Sequence, residues 1–373
     1  MKRNRTISLG RLFGIPLELD LSWFLIFALL TWTLAVSYFP NEFGDWPRAE
    51  YWIIGAITSV MLFVSVMLHE LGHSVIAQRY RVAVRRITLF IFGGVSEITS
   101  EPPSAAAEFW IALAGPVVSF ALAGVFALLE PAVGGSEPLL ALAKYLAYIN
   151  ATVAAFNLIP GFPLDGGRVL RAILWGITHN LRRATTVAAN VGRIIAFGFI
   201  LFGVWQAFSG NVAGGLWIAF IGWFLEGAAL SQVQQQRVTQ VLDGHRVNEA
   251  MTTQYATVPP SENLDELVHE KILGTGGRTF LVQSNSHPEG LLTLHEVREV
   301  PREKWSTTSV QDRMIPLANL DTVGPSEDLV EAIKKMDSDG VNQLPVVADE
   351  HVIGVLSRES IISYLRNLQD LGL

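Results

Sequence analysis

No cysteine occurs in the 373 residues. That excludes a disulfide framework and any thiolate zinc site, so a metal in this chain must be held by histidine and carboxylate. Charge is also scarce: 16% of residues are Asp, Glu, Lys or Arg, half are hydrophobic, and mean hydropathy is +0.36. So little charge excludes an ordinary soluble protein and points to membrane spans. What charge there is falls unevenly. Residues 1–232 hold 15 Lys/Arg against 13 Asp/Glu, and residues 233–373 hold 12 against 21. An acidic second part of this kind argues against a nucleic-acid partner, because phosphate binding needs Lys/Arg surfaces. The apolar run from Leu21 to Phe39 follows basic residues but lacks an A-x-A-like cleavage site, so it reads as a retained first helix rather than a signal peptide.

Six stretches approach the ~20 residues that a bilayer requires: roughly 21–39, 52–77, 106–130, 139–160, 187–208 and 212–230. The loops alternate in charge. Lys2, Arg3, Arg5 and Arg11 precede the first span. Arg79, Arg81, Arg85 and Arg86 follow the second, and Arg168, Arg171, Arg182 and Arg183 follow the fourth. The alternate loops contain Arg48 alone among basic residues. The positive-inside rule then predicts a multi-pass protein of the cell membrane, lying in the lipid bilayer with both termini cytoplasmic.

Residues 85–98, RRITLFIFGGVSEI, are rich in β-branched and aromatic residues, with Gly93-Gly94 at the expected turn. They read as a short β-hairpin dipping toward the membrane from the cytoplasmic side, or as an amphipathic surface loop. Beyond the Gln-rich SQVQQQ (231–236) the chain turns soluble in character. Two segments there repeat. Met251 aligns with Met314, Leu281-Val282 with Val346-Val347, and GLLT (290–293) with GVLS (354–357). Each unit reads helix–strand–helix–strand–strand–helix and resembles a cystathionine-β-synthase (CBS) module. The expected organisation is a membrane domain over 1–232, a linker over 233–246, and CBS modules over 247–304 and 305–373. The fold class is a mainly α membrane protein with six transmembrane helices and a short membrane-associated β-hairpin, plus a cytoplasmic α/β tandem CBS domain.

Within the second span stands HELGH. His69 and His73 are four residues apart, so a helix places both imidazoles on one face, one turn apart. That arrangement suits Zn²⁺. Glu70, one position round, sits near such a metal without being forced to ligate it and can take a proton from the attacking water. In a soluble helix the motif can be a solvated coincidence. Inside a span, ionisable groups are expensive and usually mark function.

A catalytic zinc needs a third protein ligand. Spans two and four run in the same direction, so the end of span four lies at the depth of the two histidines. There NLIPGFPLDGG (157–167) breaks at Pro160, is kept by Pro163 from an immediate restart, and presents Asp165 before two glycines that allow close backbone approach. Asp165 is a ligand candidate on this topology, or an Asx-turn or N-cap residue. His179, Glu97 and Glu226 fit less well.

HELGH together with N-x-x-P-x-x-x-x-D-G, Asn157 to Gly166, resembles the site-2 protease family of intramembrane metalloproteases, in the branch with C-terminal tandem CBS modules. The resemblance implies Asp165 as third zinc ligand, one Zn²⁺ per chain, and Glu70 as activator of water. It implies a transmembrane protein as substrate, with Asn157 contacting it or steadying the reacting carbonyl. Asn157 and Asn150, seven apart, lie on one helix face, and one of the two is open to bonding a neighbouring helix instead. The resemblance also favours strand pairing between unwound substrate and Phe92, Gly93 and Gly94. LAGPVVSF (113–120) resembles the family's small-residue stretch, but Ser119 stands where Asn is commoner. Gly115-Pro116 reads as a helix break or as close helix packing. The CBS pair implies an adenosine nucleotide as regulator, with Thr293, Glu296 and Ser357 as candidate contacts, or homodimerisation through the modules. A CBS-regulated divalent-metal transporter is the alternative function; it has no special use for Glu70 between two ligands and would tend to show repeats among its spans. An inactive scaffold would require a broken motif, and none of the four residues is missing.

Overall fold

The computed structural model describes residues 6–91, 93–98, 101–242, 244–253, 255–284, 287–339, 341–349 and 351–371. It forms two compact units, Met1–Gln235 and Gln236–Leu373.

The first unit opens with a hairpin. Strands β1 (Thr6–Leu12) and β2 (Ile15–Asp20) flank Phe13 and Gly14, which both take positive φ, as a tight two-residue turn requires. α1 (Trp23–Thr33) continues through a π-helical turn (Leu34–Tyr38) into the short α2 (Phe39–Glu42). α3 (Arg48–Arg79) is the longest helix. It stops where Arg81 turns left-handed and the Val82 N–H reaches back to the Ala77 carbonyl at 3.0 Å. Then follow β3 (Val84–Phe90), β4 (Gly93–Ile98), α4 (Ala105–Val133), α5 (Glu137–Asn157), α6 (Asp165–Thr178), α7 (Leu181–Phe208) and α8 (Val212–Leu242). Six described helices are long and apolar enough to cross a membrane: Trp23–Glu42, Arg48–Arg79, Ala105–Val133, Glu137–Asn157, Leu181–Phe208 and Val212–Ser231. They correspond one to one with the six stretches expected.

Two local expectations need correction. The 85–98 stretch does form paired strands, but Gly93 and Gly94 begin β4 instead of making the turn, which passes through Ile91. Gly93 has φ +126, a conformation L side chains rarely adopt, and Gly94 lies too close to α3 for a Cβ. Nor is the hairpin alone. β2 pairs in parallel with β3, giving a four-stranded sheet of order β1-β2-β3-β4. Strand β2 was legible: Ile15, Leu17 and Leu19 are buried and alternate with the half-buried Pro16, Glu18 and Asp20. On the face toward α3, Ile15, Leu17 and Ile87 pack against Met67, Leu68 and Leu71.

In the second unit, one repeat contains α9 (Val247–Ala250), β5 (Ala256–Val258), α10 (Leu264–Glu266), a π-helical turn, α11 (Leu273–Thr275), β6 (Thr279–Ser284), β7 (His287–Thr293) and α12 (Leu294–Arg298). The other contains α13 (Val310–Arg313), β8 (Ile315–Pro316), α14 (Leu329–Asp339), β9 (Gln343–Ala348), β10 (His351–Ser357) and α15 (Arg358–Leu371). The repeats interlock. β8 pairs with β7, and Thr252 bridges to Val355. Val247 and Ala250 sit in a core with Val323, Leu344 and Leu356, whereas Val310 sits in a core with Val258, Phe280 and Leu292. The aligned methionines show the same reciprocity. A Cβ on Gly354 would meet Met251 Sδ at 2.9 Å, and one on Gly290 would meet Met314 Sδ at 3.1 Å.

Candidate metal centre

α3 delivers His69 and His73 to the interior of the first unit, both buried. α6 delivers Asp165 from its first turn. That helix was not anticipated: the LDGG segment is neither a lone turn nor only a cap, and the chain restarts as a helix immediately after Leu164. Gly166 and Gly167 allow it. Their Cβ positions would fall 2.3 Å from the Leu158 carbonyl oxygen and 2.3 Å from the Gly161 carbonyl carbon, so only glycine lets α6 begin against the 158–162 backbone.

The three donor atoms form an even triangle. His69 Nε2 and His73 Nε2 are each 3.2 Å from Asp165 Oδ2 and 3.2 Å from each other. A tetrahedral zinc with bonds of ~2.0–2.1 Å sets its ligands about 3.3 Å apart, so the triangle has the size of one face of that polyhedron. Both imidazoles are oriented from behind. His73 Nδ1–H donates to the Ile111 carbonyl at 2.6 Å, and His69 Nδ1 lies 2.9 Å from Ser119 Oγ. Donation from Nδ1 leaves each Nε2 lone pair for a metal. Gly115 keeps the centre open: its Cβ would lie 2.2 Å from His73 Nε2 and 2.6 Å from His69 Nε2. The donor set, its spacing and the space kept free all fit a zinc ion. Among the described residues this is the one group of three or more such side chains close enough to hold a metal.

Of the two readings of Gly115-Pro116, close packing is the one observed, since α4 runs continuously through Pro116. Ser119, where Asn was expected, is the hydroxyl that holds His69. Glu70 lies outside the triangle and accepts a hydrogen bond from Ser96 Oγ at 2.7 Å. Asn150 is tied to the neighbouring helix, its Nδ2 3.3 Å from Ser65 Oγ. Asn157, at the end of α5, makes no side-chain hydrogen bond among the described residues. Phe92 lies outside the described residues. The weaker ligand candidates are elsewhere engaged or exposed. Glu97 pairs with Arg86 at 2.8 Å, Glu226 with Arg193 at 3.5 Å, and His179 is an exposed left-handed residue closing α6.

Sequence reasoning passed over Ser96 and Glu108. Glu108, in the first turn of α4, is fully buried and ion-paired to Arg171 of α6, whose guanidinium also lies 5.3 Å from the Phe162 ring centroid. The pair ties α6, and hence Asp165, to α4. Its one signal was an acidic residue at the mouth of an apolar span.

In the second unit, Thr293 and Glu296 bond each other in a capping box at the start of α12. At the equivalent junction Ser360 N–H donates to Ser357 Oγ and Ser357 N–H to Ser360 Oγ, both at 3.0 Å.

Helices of membrane-spanning length around a buried His–His–Asp triangle, with a carboxylate next to the first ligand, define a membrane-embedded metallopeptidase. Comparison with known proteins gives the same class. The profile of Peptidase family M50 matches residues 57–136 and 131–199, and that of the CBS domain matches 310–367. Rip3 of Mycobacterium tuberculosis is 36% identical over 360 residues, covering 95% of this chain and 91% of that protein. The zinc metalloprotease MJ0392 of Methanocaldococcus jannaschii is 28% identical over 370 residues, 98% of each chain. Among solved structures, the site-2 protease from M. jannaschii matches at 31% identity and a TM-score of 0.42, over 61% of this chain and 95% of that one. The chain belongs to peptidase family M50, the site-2 proteases, and carries a CBS-type domain.

Proposed function

We propose that this enzyme hydrolyses a peptide bond in or near the transmembrane segment of a membrane protein, using Glu70 as base beside a zinc held by His69, His73 and Asp165. The observation that carries the reading is the 3.2 Å donor triangle with Glu70 adjacent, its two histidines on a helix long enough to span a bilayer and its aspartate on the shorter α6.

Zinc, when bound, supplies Lewis-acid polarisation of the scissile carbonyl and acidifies the attacking water. Glu70 takes the proton from that water and passes it to the leaving amine. Asn157, with an uncommitted amide at the end of α5, contacts the substrate backbone. The edge strand β4, including Gly93 and Gly94, pairs with an unwound stretch of substrate, which exposes its carbonyls to attack. The four-stranded sheet lies at the cytoplasmic face of the cell membrane, with both termini cytoplasmic, a reading supported by the basic residues of alternate loops. Residues 247–304 and 305–373 act as paired CBS modules that take an adenosine nucleotide at the strand–helix junctions of Thr293, Glu296 and Ser357, and they bring two chains together as a homodimer.

The test compares wild type with Glu70→Gln, both purified in detergent, for bound zinc and for cleavage of a single-span substrate. Zinc retained and cleavage lost in the variant is the expected result. Equal cleavage by both proteins would overturn the assignment of Glu70.

A further inference from the structure

Glu70 is held from β4. A carboxylate only accepts hydrogen bonds, so the 2.7 Å contact has Ser96 Oγ–H donating to Glu70 Oε2. Ser96 is itself positioned by Ser74, a buried residue one helical turn beyond Glu70. Ser74 Oγ lies 3.1 Å from Ser96 Oγ and 2.8 Å from the Glu70 carbonyl oxygen. Among the described residues no group bonds the other carboxylate oxygen, Oε1.

The strand is shaped for this contact. Ser96 sits opposite Ile87 in the β3–β4 ladder, so its side chain lies on the sheet face that packs against α3. Gly94, two residues earlier, shares that face. A Cβ there would fall 2.6 Å from Glu70 Cγ and 3.3 Å from Val66 Cγ1. The bare backbone at Gly94 therefore runs along the methylene stem of Glu70, and the Ser96 hydroxyl caps its end. Val95, between them, faces away and is exposed. β4 is also the last strand in the sheet order among the described residues.

We propose that Ser96 is the positioning residue of Glu70. Its hydroxyl occupies Oε2, stops rotation of a carboxylate torsion that is otherwise broad and two-fold, and leaves Oε1 as the oxygen that accepts the proton of water. The base is thereby anchored on the strand to which substrate is taken to add. The inference rests on the reading of Glu70 as base given above. A hydrogen bond to a charged acceptor is worth enough that its loss slows turnover by about tenfold to a hundredfold.

Four proteins in detergent decide it: wild type, Ser96→Ala, Ser96→Thr and Glu70→Gln, each assayed for zinc content, kcat and KM on one single-span substrate. Ser96→Ala is expected to keep its zinc and its KM while kcat falls about tenfold to a hundredfold, and Ser96→Thr, which keeps the hydroxyl, recovers most of the loss. A Ser96→Ala enzyme with wild-type kcat beside an inactive Glu70→Gln would overturn this inference alone. So would loss of zinc in Ser96→Ala, or a Ser96→Thr enzyme as slow as Ser96→Ala, since either result assigns Ser96 to strand packing. Full activity in Glu70→Gln would remove the parent reading, and this one with it.

Discussion

The Cβ position of Gly115 lies 2.2 Å from His73 Nε2, closer than any real side chain can stand to a ring nitrogen. The glycine on α4 is thus the wall of the metal centre on α3. Gly115→Ala places a methyl group where the two Nε2 atoms converge. It is expected to lower zinc affinity by more than the ~10–100-fold typical of losing an outer hydrogen-bond partner, as read by metal titration against a competing chelator. Zinc binding at wild-type affinity would show that α4 moves away from α3 at no cost.

The buried pair of Glu108 and Arg171 is expected to behave asymmetrically. Arg171→Met leaves the buried Glu108 carboxyl without its ion-pair partner, at a cost of about 3–5 kcal/mol. Thermal unfolding in detergent should show this loss, with reduced zinc retention because α6 carries Asp165. Replacing both residues by apolar ones of similar volume should restore most of the stability. A double variant as unstable as the single one would mean that the pair is not what fixes α6.

Glu249, in the second unit, is held at about 2, below its ordinary 4.5, first by its hydrogen bond with His245 at 2.6 Å and then by Tyr364 Oη, also at 2.6 Å. A depressed carboxylate stabilises the fold above its unfolded value and loses that contribution as pH falls through the folded value. Glu249→Gln should therefore loosen the packing of α9 on α15 near neutral pH. The difference from wild type should close between pH 4.5 and about 2. Amide exchange along α15 in the intact chain, corrected for intrinsic rates, measures it. A gap that persists undiminished at the low end of that window would contradict the assignment.

The spans, their number and the HELGH donors were legible because apolar length and helical periodicity are local properties. His69 and His73 had to share a face once their segment was helical. The CBS-type repeat was legible for a similar reason, since Met251 and Met314 head equivalent segments and each packs against the equivalent glycine of the other repeat. The N-terminal strands were equally present as alternation in IPLELD, but the basic flank and the apolar run from Leu21 drew the reading to a retained first helix, and no strand was expected before it.

By itself, then, the sequence determined which segments enter the bilayer, which residue types are available to hold a metal in the absence of cysteine, and that two of them converge. Only the tertiary structure decided what surrounds them. Ser119 behind His69, Gly115 against the two histidine Nε2 atoms, Arg171 on Glu108 and Ser96 on Glu70 lie 50, 42 to 46, 63 and 26 residues from their partners. Contacts at such separations are set by how helices and strands pack. No local period encodes them, and a serine or glycine in an apolar segment carries no mark of the imidazole or carboxylate it will meet.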